Sequence, residues 1–214
     1  MKPTPLLVVL LAFCFECNAQ DIGKDIRKLQ DRGINGYFEK NQEIGYTGKV
    51  YEKYSDGQFK MKGQLKKGKW EGLLVRWHSN GQKEGEGNYK DGKKDGTWVY
   101  WHKNGQKEKE GNWKDGKEEG LQVGWYPNGN KRSEENWKDR KEEGLYVSWY
   151  ENGQKLQEIN FKDGKEEGLL VRWHSNGQKM AEGNYKDGKK VEGSFNYWNS
   201  KGEPVDSKEE ALKE

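Results

Sequence analysis

Polar and apolar positions alternate along most of this chain, in a frame that returns every 24 residues. The stretch GLLVRWHSNGQK occupies residues 72–83 and recurs unchanged at 168–179. Looser copies open at Gly96, Gly120 and Gly144, and the units close with variants such as EGNYKDGKKD and EINFKDGKEE. A degenerate copy starts at Gly48, and a truncated one starts at Gly193, one residue late. Within each unit, segments rich in Val, Trp and Tyr are separated by SNG-like and KDG-like turns. That is the pattern of antiparallel hairpins in series, and a fixed period of this size means stacked supersecondary units. The expected fold class is all-β: an elongated, single-layer antiparallel β-hairpin meander of 24-residue repeats.

The turns decide which side chains share a face. A three-residue loop at SNG, a type I turn closed by a left-handed Gly, pairs His78 with Gln82, and Pro127 in the equivalent YPNG suits such a turn. With three-residue loops at both turns, the odd-numbered residues from 73 to 185 form one apolar stripe that includes Leu73, Val75, Trp77, Trp125 and Trp149. On that reading Trp125 and Trp149 are buried, whereas Gly124 and Ser148 face water. Arg140 stands where the other complete repeats from residue 72 onward carry the turn Gly, and it is expected at positive φ. The late start at Gly193 predicts a bulge near Val191–Glu192.

The ends read differently. Lys2 precedes LLVVLLAFCF and then Cys17-Asn18-Ala19, which predicts a signal peptide over residues 1–19 and a secreted or periplasmic mature chain. Retention as a lipoprotein or signal anchor fits less well, because Phe13 and Glu16 directly precede the two cysteines. Residues 20–47 form a lead-in with a capping strand, 48–198 the repeat array, and 199–214 a charged tail or short helix.

Both cysteines lie within that leader, so the mature chain has no thiol chemistry. Charged residues make up 35% of the chain but the net charge is only +3, which argues against nucleic acid as a partner. The 30% hydrophobic content is low for a globule, yet 10 Trp and 11 Tyr separate the chain from disordered sequences and fit a thin sheet.

The run G-x-x-V-x-W-[YH]-x-N-G-Q-K followed by E-G-N-[YW]-K-D-G-K resembles the MORN repeat over residues 48–198. It is most similar to the bacterial variant in proteins classed with the YwqK-family antitoxins. The resemblance implies an elongated, non-catalytic hairpin array of the kind that acts as a scaffold, a dimerisation module or a membrane-associated spacer. The antitoxin class implies a cytosolic toxin as partner, which the leader does not match.

No residue constellation suggests an enzyme or a cofactor. His78, His102 and His174 occupy one repeat slot, and equivalent slots lie about 9–10 Å apart, too far for a shared metal. The even-numbered face offers the candidate binding residues: Trp98, Tyr100, Tyr126, Tyr146 and Tyr150, with the duplicated pairs Arg76/His78 and Arg172/His174. Exposed aromatics with Arg compose interface hot spots, although cross-strand ladder partners have the same composition. Three functions follow: a secreted or periplasmic protein-interaction scaffold, an antitoxin-like inhibitor of a toxin, or a binder of membrane headgroups or cell-wall glycan. The oligomeric state stays open.

Overall fold

The computed structural model describes residues 23–33 and 36–213, so the signal peptide expected over residues 1–19 lies outside the described residues. Among the described residues, eighteen strands form one sheet. From Gly48–Lys53 to Pro204–Val205 it is an antiparallel meander in chain order. Its single parallel pairing sets Lys24–Asp25 beside Gly48–Lys53.

The SNG turn is the expected three-residue loop. The His78 amide donates to the Gln82 carbonyl at 2.8 Å, the Gly81 amide donates to the His78 carbonyl at 3.0 Å, and Gly81 has φ +83°. One residue later the register slips. Trp77 pairs with Lys83, but Arg76 pairs with Gly85, which leaves Glu84 as an extra residue. Such a bulge moves every following side chain to the other face.

The KDG turn differs from the expectation. It is a two-residue type I′ turn between Lys90 and Lys93, with Asp91 at φ +50° and Gly92 at φ +81°. A second irregularity follows it: Asn88 pairs with Asp95 but Gly87 pairs with Trp98, and Gly96 and Thr97 bulge out between them.

The two corrections invert the face assignment for the first strand of each hairpin, whereas odd positions of the second strands, such as Tyr89 and Ile159, stay on the packed face as expected. The packed face carries even positions of each first strand and odd positions of each second strand. Leu74, Trp98, Gln122, Ile159 and Leu170 all lie on it, at 7% exposure or less. Ser148, expected in water, is 5% exposed and Gly124 is buried, whereas Trp125 and Trp149 are only half-buried on the open face.

A sheet one layer thick has no second layer to cover this stripe, so neighbouring side chains cover one another. Large residues lie over glycines on the adjacent strand: Leu74 over Gly63, Trp98 over Gly87 and Phe195 over Gly183. A Cβ on Gly87 would run into the Trp98 ring. The Tyr89 ring meets Trp98 edge-on at 5.1 Å and the Tyr100 ring stacks on it at 5.9 Å, which completes its cover.

Both ends are closed by extra structure. Ile26 and Leu29, around a 3-10 turn at Ile26–Lys28, pack on Val50 and Leu65, with Tyr37, Tyr46, Met61 and Trp70 around them. At the far end a helix at Lys208–Ala211, N-capped by Ser207, buries Ala211 to 1% exposure.

Two local expectations hold. Arg140 has φ +70°. The late repeat carries a longer bulge, since Tyr185 pairs with Lys190 and Ala181 with Tyr197. The added residue brings Phe195, not Ser194, over Gly183.

Replacing Trp98 with Ala should therefore cost about 3–5 kcal/mol in denaturant unfolding, as for a large aromatic removed from a core. Leu121→Ala, on the open face, should change stability by less than about 0.5 kcal/mol. Arg140→Gly should raise the melting temperature, with a gain of up to about 1 kcal/mol from relief of left-handed strain, offset by the unfolded-state entropy of Gly.

Candidate functional site

Successive hairpins are joined beyond the strand ladder by side chains of the SNG turns. The Tyr54 hydroxyl donates to the Trp77 carbonyl at 2.7 Å, Tyr126 to that of Trp149 at 2.8 Å, and Tyr150 to that of Trp173 at 2.9 Å. The Nε2 atoms of His78, His102 and His174 make the same contact with the Trp101, Trp125 and Trp198 carbonyls, at 2.8–3.0 Å. A carbonyl only accepts, so each histidine holds its proton on Nε2. The Asn of each turn adds a second rung, as when Asn80 donates to the Lys103 carbonyl at 2.7 Å and Asn104 to that of Pro127 at 2.6 Å. At the opposite edge the turn Gly amide donates backwards, Gly92 to the Trp70 carbonyl and Gly164 to that of Glu142, both at 2.9 Å. The ladder skips the Arg140 turn.

The candidate residues read from the sequence are thus engaged inside the sheet. His78, Tyr126, Tyr150 and His174 are inter-repeat donors. Trp98 is 2% exposed, with its Nε1 donating to the Asn88 carbonyl at 3.0 Å, so its expected exposure is wrong. Tyr100 is half-buried against Trp98, and burial pushes its hydroxyl up to about 12. The Tyr146 ring meets Phe161 edge-on at 6.2 Å. Arg76 reaches Glu84 at 3.4 Å, and Arg172 Nε donates to Gln157 Oε1 at 3.1 Å. These nine residues do not converge on one site, and the two Arg-x-His pairs stand four repeats apart.

The surface that is free lies on the other side. The open face is ruled into rows that run across the strands. Leu73, Thr97, Leu121, Leu145 and Leu169 pair with Asn88, Asn112, Asn136, Asn160 and Asn184, and on the following strand the bulge sets Asp95, Glu119 and Glu167 opposite Asn88, Asn112 and Asn160. The leucines are 42–54% exposed. The next row alternates Val and Glu: Val75, Glu86, Val99, Glu110, Val123 and Glu134. Beyond it, each Lys sits over the Trp of the following repeat, as Lys83 does over Trp101 at 5.5 Å and Lys107 over Trp125 at 5.6 Å. Where Thr97 replaces leucine, its hydroxyl donates to Asn112 Oδ1 at 2.8 Å. A groove of about 340 Å³ opens there, lined by Thr97, Leu121, Val123, Trp125, Lys131 and Glu134.

Past the leucine row the KDG turns present lysines in directly opposed pairs, such as Lys90 with Lys93 and Lys114 with Lys117. These lysines are exposed. Like charges placed opposite each other destabilise a sheet, so this edge carries a cost that packing does not explain. The leucine row was present in the sequence, but the wrong parity assigned it to the core.

Five consecutive stretches, residues 70–91, 94–115, 118–139, 142–163 and 166–187, match the family described as MORN repeat variant, and together they make up just over half of the chain. The chain belongs to the MORN repeat variant family. Each MORN match spans one hairpin and ends in the KDG-type turn, so the SNG turn lies inside the unit and the type I′ turn joins units. No curated protein gave a match.

Because His and Tyr serve the same role in the MORN slot, His102→Tyr should leave stability within about 0.5 kcal/mol of the parent, whereas His102→Phe should lose about 1 kcal/mol with the hydrogen bond. Paired thermal melts of the two variants check this.

Proposed function

We propose that this MORN-repeat chain is a non-catalytic binding scaffold that lays its open face along a protein partner, in the secreted or periplasmic space that its leader suggests. The observation that carries the reading is the leucine row, four side chains about half exposed at one position of successive hairpins. An exposed apolar side chain repeated at one position of successive hairpins gives the array an extended surface for a partner. The opposed lysine pairs beside it favour a partner with acidic groups flanking an apolar strip. Neighbouring repeats offer near-identical contacts, so affinity is spread over several weak units. An antitoxin-like role is the special case in which the partner is a toxin.

A second reading rests on the same juxtaposition. Leucines beside lysines also suit an anionic membrane surface, where each lysine contributes about 1 kcal/mol.

The test is a double substitution, Leu121→Ser with Leu145→Ser. The melting temperature should stay within a few degrees of the parent, because these side chains are exposed. Affinity capture from the native envelope should lose the partner that the parent retains. Retention of that partner by the variant would overturn the assignment to the open face. Co-sedimentation of the parent with anionic vesicles, lost in the same variant, would select the membrane reading.

A further inference from the structure

The KDG edge is tied from turn to turn by two kinds of amide. The turn Gly donates to a backbone carbonyl of the preceding unit, Gly92 to Trp70, Gly116 to Lys94, Gly164 to Glu142 and Gly188 to Glu166, at 2.9–3.0 Å. The residue before it adds a second tie in most turns: the Asp91, Asp163 and Asp187 amides donate to the Glu71, Glu143 and Glu167 carboxylates at 2.9–3.0 Å. The first such turn has both as well, with Gly68 on the Tyr46 carbonyl and Lys67 on Thr47 Oγ1, each at 2.8 Å. Among the described residues, the Asp139–Arg140 turn alone makes neither bond. Arg140 is also the residue held at φ +70° where the other turns have Gly, a conformation that a Cβ disfavours.

The packed face is poorest at the same place. Gln122 stands where the preceding repeat has Trp98, and Gly124 where it has Tyr100. Three buried side-chain atoms lack a hydrogen-bond partner among the described residues: Gln122 Oε1, Trp137 Nε1 and Ser148 Oγ. All three lie in the two hairpins that flank Arg140. A buried polar atom left unpaired keeps its full desolvation cost. Glu142 pairs across the strands with Trp137, and burial, followed by the Glu135 and Glu166 carboxylates, raises its pKa above the usual carboxylate range. The ring contacts that run from Trp70 through Tyr89 and Trp98 to Tyr100 stop short of this stretch, and the next ring pair is Tyr146 with Phe161.

The same two hairpins are fully joined at the opposite edge. The Tyr126 hydroxyl donates to the Trp149 carbonyl, and the Asn128 and Asn130 side chains both donate to the Glu151 carbonyl, at 2.8–2.9 Å. The seam is therefore untied at the KDG edge and clamped at the SNG edge.

We infer that the array consists of two blocks hinged at the Arg140 turn, which splay apart at the KDG edge about a pivot formed by Tyr126 and Trp149. Hinges are a few turn or element-terminal residues that absorb a backbone change, and regions with unmet hydrogen bonds lie at the low-stability end of a structure. Each block moves as a unit because its own turns keep the Gly amide ties. Opening changes the spacing of Leu121 and Leu145 on the open face, so the hinge adjusts the course of the leucine row. The inference rests on the turns and the packed face, and it stands whether or not that row binds a partner.

Electron–electron double resonance between nitroxides measures the opening. Labels go on introduced cysteines in the full chain, with Cys14 and Cys17 replaced by serine. Lys114→Cys with Lys162→Cys spans the Arg140 turn at the KDG edge. Lys66→Cys with Lys114→Cys spans an intact turn at the same edge, and Lys103→Cys with Glu151→Cys spans the Arg140 seam at the pivot edge. All six sites are exposed, and each pair is two repeats apart, about 19–20 Å across four strand spacings. The first pair should give a broader distance distribution than either of the others. Arg140→Gly removes the Cβ strain and should narrow it to the width of the Lys66–Lys114 pair. A Lys114–Lys162 width no greater than that of the other two pairs, or one that Arg140→Gly leaves unchanged, would overturn the inference.

Discussion

One extra residue after each SNG turn sets the character of this molecule. Glu84 and its equivalents slip the pairing by one, so Leu74 rather than Val75 meets Gly87. That slip lets a sheet without a second layer bury anything at all. Trp98 has room because Gly87 lies beneath it, and Leu74 has room over Gly63. With the register one residue different, the glycines would oppose the valine row and the tryptophan would have no space. The interlocking of large side chains with glycines on adjacent strands, the rings that lean over Trp98, and the freedom of the leucine row all depend on it.

Adjacent repeats are held in two directions. His or Tyr and Asn at the SNG edge donate forward to carbonyls of the next hairpin, while the turn Gly at the KDG edge donates back to the previous one. Except at the Arg140 turn, each hairpin is therefore fixed to its neighbours at both ends of its strands. Stability in such an array is a sum of local terms and nearest-neighbour terms. The ends need separate treatment, which the N-terminal cluster around Val50 and the helix at Lys208–Ala211 provide.

Much of this was legible in the sequence because the period was. The 24-residue frame gave the meander, the type of the SNG turn, the strained Arg140 and the bulge after Val191. The faces of the second strands were legible too, since Tyr89 and Ile159 pack as expected, but those of the first strands were not, for a physical reason. Leu73, Val75 and Trp77 alternate with polar residues as a buried stripe would, and the bulge position has no composition of its own, holding Glu84, Glu108, Arg132, Leu156 and Met180 in turn. Alternation shows that two faces differ and does not show which is dry. The expected exposure of Trp98 failed with that choice. The engagement of His78 and Tyr126 depends on a carbonyl 23 residues away, a contact that no local pattern announces.

The paired forward and backward donors have a further consequence. Each hairpin donates to the next the same hydrogen bonds that its own carbonyls accept from the last, so a whole unit inserted or removed rejoins the seam without an orphaned group. A fragment of a unit cannot do so unless a bulge absorbs the difference, as it does between Val191 and Ser194. The length of the array is therefore quantised. Each step adds two strands, about 9–10 Å, to the array. Such a molecule is built as a gauge, whose reach is set by counting hairpins and can be altered in evolution by duplication alone, as the identical segments at 72–83 and 168–179 suggest.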